Sequence, residues 1–161
     1  MILALKTADS TTEMYLLDDN GKVIADKIWQ SERRLAHDLL GAIESVIASA
    51  EGGHPAPVSQ TGAGSRKKTV ATGDSSPNQL TNQPINQLTR LIVFTGPGSF
   101  TGLRIGITTM NSLAYGLDIP IVGVNGEKWI ENGLQRLNDG ENDRIITPHY
   151  GAEANITSPR K

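Results

Sequence analysis

The chain has 161 residues, the length of one ordinary domain, and with 37% hydrophobic and 20% charged residues it can bury a core. Its formal net charge of −2 gives no global pull toward nucleic acid or an anionic membrane, and the lack of cysteine excludes a disulfide framework, a thiolate zinc site and a cysteine nucleophile. The opening MILALKTADS is apolar for only a few positions, too short for a signal peptide or a membrane span, so a cytoplasmic protein with no membrane partner is expected.

Ile2 to Leu5 reads as a strand that stops at Lys6-Thr7. Glu13 to Leu17 reads as a second strand, followed by the turn Asp18-Asp19-Asn20-Gly21, and Lys22 to Trp29 returns as a third. Asn-Gly is a strong hairpin signal because a type I′ turn needs positive φ at both central residues. Ser31 is placed to cap the helix that follows. There Leu35, Leu39, Leu40, Ile43, Val46 and Ile47 recur at helical spacing through about Ala50, while Glu32, Arg33, Asp38 and Glu44 lie mostly off the stripe.

The composition then changes. Residues 52–90 are rich in Gly, Ser, Thr, Asn, Gln and Pro and carry a short imperfect repeat, Asn78-Gln79-Leu80 and Asn86-Gln87-Leu88 with Asn82-Gln83-Pro84 between. Such a segment has too little apolar surface to offset its ordering entropy and is expected to be a flexible insertion. Its basic run Arg66-Lys67-Lys68 reads as a solvated linker ahead of a tRNA or partner contact.

Leu91 to Phe94 has the compact apolar character of a central parallel strand, and the glycine-rich turn TGPGSFTGLR follows. Thr101 to Leu117 reads as a helix, Ile119 to Val124 as a buried strand and Glu127 to Leu137 as a further helix, before an irregular tail with a short strand at Ile145-Ile146. The expected organisation is 1–51 as the first part of a lobe, 52–90 as the insertion, 91–138 as the second part and 139–161 as a tail. The order β-β-β-α-insertion-β-α-β-α implies an α/β fold. It is a mixed five-stranded sheet, three antiparallel strands then parallel ones, with helices on both faces. That is the order used by the ribonuclease-H-like and actin-like superfamily.

In the turn, Gly96, Gly98 and Gly102 permit a sharp bend and close backbone approach, and Ser99 or Thr101 can cap the following helix. Gly96, Gly98, Ser99, Thr101, Gly102 and Arg104 form a candidate anion site, since free amides at a helix N-terminus receive phosphate or carboxylate. The pattern is neither a Walker loop nor a dinucleotide fingerprint, and a structural turn is the favoured reading. Gly102 and Gly106, with Met110, Leu113 and Leu117 along the same side, cost about 2 kcal/mol relative to two alanines. The usual reason to accept that cost is close approach of another backbone, either the sheet beneath or another helix. No catalytic residue, metal site or cofactor is expected. The carboxylates Asp9, Asp18 and Asp19 are scattered, Asp18 and Asp19 suit a turn, and His37, His54 and His149 show no ligand spacing.

At TGPGSFTGLRIG the chain resembles the TsaB (YeaZ) family of subunits for biosynthesis of tRNA threonylcarbamoyladenosine (t6A). Ile2-Leu3-Ala4-Leu5, the stretch Arg34 to Leu40 with His37-Ala-Leu39-Leu40, and Leu113 to Leu117 running into Ile119 to Val124 add to it. The resemblance covers about 1–50 and 91–129. It implies an actin-like fold and a non-catalytic subunit. This would pair with a TsaD-like catalytic subunit, work with a TsaE-like ATPase, meet tRNA only indirectly and form a homodimer when alone. It also implies a helical-bundle interface built from Leu35–Ala50 and Thr101–Leu117, here with Leu39, Ile43, Val46, Ile47, Gly102, Gly106, Met110, Leu113 and Leu117. The chain departs from the family at Lys6, where an Asp is usual, in the long insertion, and in having only a short tail where a second lobe normally follows. Thr147 to Tyr150 and Ile156-Thr157 resemble the way the family's chains end, so a natural reduction to one lobe is expected, without the interlobe cleft that holds nucleotide in actin-like proteins. The alternatives are an enzyme on the same fold, either a glycoprotease-like peptidase or a nucleotide hydrolase, and a self-associating domain with lost activity.

Overall fold

The computed structural model describes residues 1–51 and 84–151. The expected insertion falls mostly outside the described residues, as do Arg66 to Lys68, His54 and Ile156-Thr157. Its last residues, 84–90, belong to the fold instead. Pro84–Gln87 makes a 3₁₀ turn, Leu88 is buried, and Arg90 opens a strand.

The elements are β1 (Ile2–Lys6), β2 (Thr11–Leu17), β3 (Val23–Gln30), α1 (Leu35–Glu51), β4 (Arg90–Phe94), α2 (Phe100–Leu117), β5 (Ile121–Val124) and α3 (Trp129–Asn138). They form one five-stranded sheet in the order β3-β2-β1-β4-β5. β1 pairs antiparallel with β2, and β2 with β3, while β1–β4 and β4–β5 are parallel. The mixed sheet is therefore as expected.

Period-two alternation sorts the strand residues between two layers. Ala4 and Ile92 stand in register, and Ile92 lies under Gly133 of α3, where a β-carbon would come within 2.5 Å of its Cγ2. Tyr15, opposite Ala4, meets Trp129 of α3 with ring centroids 6.2 Å apart. The opposite face, with Leu3, Leu5, Met14, Leu16, Leu91 and Val93, is covered by α1 over β2 and β3 and by α2 over β1 and β4. Each fully buried Leu or Ile is worth roughly 1.5–3 kcal/mol, so the stripe of α1 and the strands beneath it carry the stability of the domain.

Two local expectations change. The hairpin between β2 and β3 is not a type I′ turn, because of its two central candidates only Gly21 has positive φ, at 81°. The carboxylate of Asp18 accepts from the amides of Asn20 and Lys22, each at 2.9 Å, and Gly21 N–H returns to the Asp18 carbonyl at 3.0 Å. The aspartate side chain thus organises the turn and leaves the left-handed conformation to the glycine alone. Ser31 makes no capping hydrogen bond, and its hydroxyl donates to the Ser10 carbonyl at 3.3 Å, tying the end of β3 to the β1–β2 loop. The pair Ile145-Ile146 is not a strand but part of an irregular segment lying along the edge of β5.

Candidate functional site

The glycine-rich turn joins β4 to α2. Thr95 leaves the strand with its amide and hydroxyl both donated to the Val124 carbonyl, at 2.7 and 3.0 Å. Gly96 takes φ 124° and precedes a cis proline, Pro97, and a β-carbon on Gly96 would overlap the His149 carbonyl. A β-carbon on Gly98 would come within 2.5 Å of the Ala8 carbonyl. The turn then hands its donors to its own neighbours. Ser99 N–H goes to the Ala8 carbonyl at 2.5 Å, Ser99 Oγ caps Gly102 N–H at 3.3 Å, and Leu103 N–H goes to the Ser99 carbonyl at 2.9 Å. The Ser99 and Gly102 amides are thereby turned to the chain's own acceptors, Leu103 N–H makes the first ordinary bond of the helix, and Asp9 lines the small cavity beside Ser99, Thr101 and Gly102. Arg104 lies over the Phe100 ring at 4.9 Å. These contacts favour the structural reading of Gly96, Gly98, Ser99, Thr101, Gly102 and Arg104 over an anion cradle.

Gly102 and Gly106 of α2 are explained by Thr7, the residue after β1. A β-carbon on Gly102 would overlap the Thr7 carbonyl, and one on Gly106 would overlap the Thr7 hydroxyl. The close approach is to the sheet within the same domain. This corrects the expected partner surface residue by residue. Leu39, Ile43, Val46, Ile47 and Met110 are buried in the domain's own core, Gly102 and Gly106 press on Thr7, and Leu113 and Leu117 are half-buried against the core. A helical stripe marks a buried face without saying what buries it, and here the sheet does.

The outer surface of the same two helices is made of other residues. Leu40, the one member of the α1 stripe that turns outward, is 53% exposed. Ala36, Arg104, Ile105, Thr108 and Thr109 line a shallow groove of about 330 Å³ between α1 and α2. Sequence periodicity missed this surface because alanine and threonine carry no strong hydrophobic signal. His37, the residue after Ala36, is exposed, with Nδ1 2.8 Å from Asp38 Oδ1. The hydrogen bond from His37, ahead of the charge of Arg34, holds the Asp38 carboxyl below its usual range.

A second feature sits where β1 and β4 end. The chain leaves β1 toward β2 and leaves β4 toward β5, so the sheet reverses its winding between these strands, the place where open α/β sheets take ligands. A cleft of about 490 Å³ opens there, lined by Lys6, Asp9, Glu13, Phe94, Glu127 and Trp129 among others. Lys6 occupies much of its polar capacity, with Nζ 2.7 Å from Glu13, 3.9 Å from Asp9 and 5.5 Å from the Phe94 ring centroid. Tyr15 donates to the other oxygen of Glu13 at 3.1 Å. Burial first, and then the Glu13 charge, push the Tyr15 hydroxyl up from its ordinary pKa. Among the described residues no group of three or more His, Asp or Glu side chains is arranged to hold a metal ion, and no helix is long and apolar enough to cross a membrane.

The edge of β5 carries a cluster that composition did not signal. Arg136 of α3 reaches Asp143 at 2.8 Å and Glu141 at 2.7 Å, and Asp143 Oδ2 accepts from Gly123 N–H at 2.8 Å. Burial works to raise the Asp143 carboxyl, but the hydrogen bonds from Arg136 and Gly123 and the Arg136 charge outweigh it and leave the pKa below the usual carboxylate value. The same contacts raise that of Arg136. A carboxyl depressed in the folded state contributes stability above its unfolded value, near about 4, and loses it as pH falls through the folded value. Thermal midpoints taken from about pH 6 to about pH 3 are expected to fall more steeply for the parent than for Asp143→Asn, whose residue 143 no longer titrates. Parallel curves would show that Asp143 is not linked to folding.

Taken together, the strand order, the helices on both faces and the glycine-rich entry to α2 define an α/β lobe built on a mixed five-stranded sheet. A family model described as TsaD, tRNA N6-adenosine threonylcarbamoyltransferase, matches residues 79–136. The chain is 44% identical over 66 residues to the tRNA threonylcarbamoyladenosine biosynthesis protein TsaB of Bacillus subtilis, which is 40% of this chain and 26% of that relative. It is 50% identical over 42 residues to the tRNA N6-adenosine threonylcarbamoyltransferase of Geotalea daltonii, 26% of this chain and 12% of that one. The solved YeaZ structure from Pseudomonas aeruginosa superposes with a TM-score of 0.52 at 22% identity, covering 77% of this chain and 43% of that chain. The matched part thus spans about a quarter of the Bacillus relative and less than half of the solved one. Over the parts they cover, the chain is similar to TsaB (YeaZ) proteins and to the TsaD family model, and the solved structure shares its fold.

Proposed function

We propose that this chain serves t6A modification of tRNA as a non-catalytic scaffold, docking a TsaD-like catalytic subunit through the outer surface of α1 and α2. The observation that carries this reading is the open α1–α2 groove. It is lined by the small and apolar side chains of Ala36, Ile105, Thr108 and Thr109 together with Arg104, on helices whose inward faces are already satisfied by the sheet, and Leu40 is exposed one turn after Ala36 on α1. Small side chains let a partner helix approach closely. A non-catalytic role is supported by the way Lys6 engages Glu13 and Asp9 at the end of β1, where a reaction centre would need free carboxylates. In this reading the TsaE-like ATPase joins through the complex, tRNA is met indirectly, the chain works in the cytoplasm, and the same groove supports a homodimer when the partner is absent.

Leu40→Glu places a charge on the exposed face of α1, one turn from Ala36 of the groove, at a side chain outside the core. Co-purification with the TsaD protein of the same source is expected to drop at least tenfold, while circular dichroism and the thermal midpoint stay at parent values. Retained co-purification would show that docking uses another surface.

The cleft between β1 and β4 favours a second reading, an enzyme on the same fold, because it lies at the reversal of the winding and holds Asp9 and Glu13. Turnover by the isolated chain of a peptide or a nucleoside triphosphate, lost on Asp9→Asn, would establish that reading over the scaffold.

A further inference from the structure

β5 is the last strand of the sheet, yet its outer edge has no free backbone group at Ile121 or Gly123. Ile121 N–H donates to Asn142 Oδ1 at 3.2 Å, and the Ile121 carbonyl accepts from Asp143 N–H at 2.9 Å. Gly123 N–H donates to Asp143 Oδ2 at 2.8 Å, and the Gly123 carbonyl accepts from Arg136 Nη1 at 2.5 Å. Three of these four partners are side-chain atoms. The segment 142–149 continues past the strand, held by a reciprocal pair between Asn111 and Ile146, at 2.9 Å in both directions, and by His149 N–H to the Thr95 carbonyl at 2.7 Å. It is not a strand itself, and it includes Arg144 at φ 61°, a conformation unfavourable for a residue with a β-carbon. Side chains therefore do for this edge what a sixth strand would do, with a strained residue inside the segment that supplies them.

We propose that residues 142–149 and Arg136 form a displaceable seal over a strand-addition site on β5, and that the strand accepted by the unsealed edge is β5 of a second copy. The register follows from which groups point outward. In an antiparallel pairing about a two-fold axis, Ile121 of one copy stands opposite Gly123 of the other, each pair exchanging two hydrogen bonds. That uses the same four groups that the seal now holds, with none left over. Val122 meets Val122 across the axis. The segment Ile121-Val122-Gly123-Val124 has the β-branched, uncharged character that adds readily to an edge. The covering helices allow the approach. α3 lies over β4 and β5, so strands spaced about 4.8 Å apart put the two copies of α3 about 10 Å apart, an ordinary helix-packing distance.

The test uses the full chain with Leu40→Glu in every sample, so that association through the α1–α2 groove does not contribute. Arg136→Ala/Asp143→Ala is compared with this background by sedimentation velocity and by amide exchange at Ile121 and Gly123. The expected result is dimerisation at least tenfold tighter than the background, with both amides slowed at high protein concentration and fast at low. A folded double variant that associates no more tightly, or whose two amides exchange independently of concentration, overturns the proposal. If the double variant fails to fold, Asp143→Ala alone, which leaves Arg136 on the Gly123 carbonyl, is expected to tighten association at least threefold. No change in that single variant overturns the proposal equally.

Discussion

Ile43→Glu is expected to abolish cooperative folding rather than to weaken docking selectively. Ile43 is 0% exposed and lies between α1 and the sheet, so a carboxylate there is stripped of water with no cation to meet it. An unpaired buried charge costs several kcal/mol, a large share of the roughly 5–15 kcal/mol that holds a domain of this kind together. Met110→Glu, on α2 and equally buried, is expected to behave the same way. The measurement is the thermal or urea transition of the purified variant, and a parent-like transition would show that the α1 stripe faces outward. The contrast with Leu40→Glu separates the two surfaces of one helix. One carries the fold, and the other is available to a partner.

Gly102→Ala is expected to destabilise the domain by about 1–3 kcal/mol, the usual cost of overpacking, even though alanine is the better helix former. The added methyl group meets the Thr7 carbonyl, which is backbone just after β1 and not the far end of a flexible side chain. Gly106→Ala meets the Thr7 hydroxyl and methyl groups instead. Its loss is therefore expected to be largely recovered in Gly106→Ala/Thr7→Ala, whereas Gly102→Ala is not rescued by that second change. The Thr7 hydroxyl is buried with no hydrogen-bond partner, so removing it forfeits none. Urea denaturation of these four variants and of Thr7→Ala alone is the measurement. An additive pair at 106 and 7 would mean that α2 does not rest on β1 as described.

Both results bear on how a helical stripe is read. Leu35, Leu39, Leu40, Ile43, Val46 and Ile47 share one spacing, and five of the six enter the core while Leu40 does not. The angular position of Leu40 lies at the margin of the stripe, and the packing of α1 on β2 and β3 leaves it facing solvent. The glycines of α2 were similarly open to two explanations, and the nearness of Thr7 selects between them. The residues of the β5 seal, Arg136, Asn142 and Asp143, left no mark in the pattern because charged and amide side chains in an irregular tail ordinarily point to water.

By itself the sequence determined the succession of strands and helices, the antiparallel start and the parallel continuation, the glycine-rich entry into α2 and the resemblance to TsaB. These rest on periodicity and turn chemistry, which act between residues close in the chain. The tertiary structure alone decided that β1 lies beside β4, that Gly102 and Gly106 press on Thr7 just after β1, that the outward surface of α1 and α2 takes only Leu40 from the α1 stripe, and that the edge of β5 is closed largely by side chains. Each of these depends on groups brought together from distant parts of the chain, where backbone approach and hydrogen-bond satisfaction, rather than hydrophobic spacing, choose the arrangement.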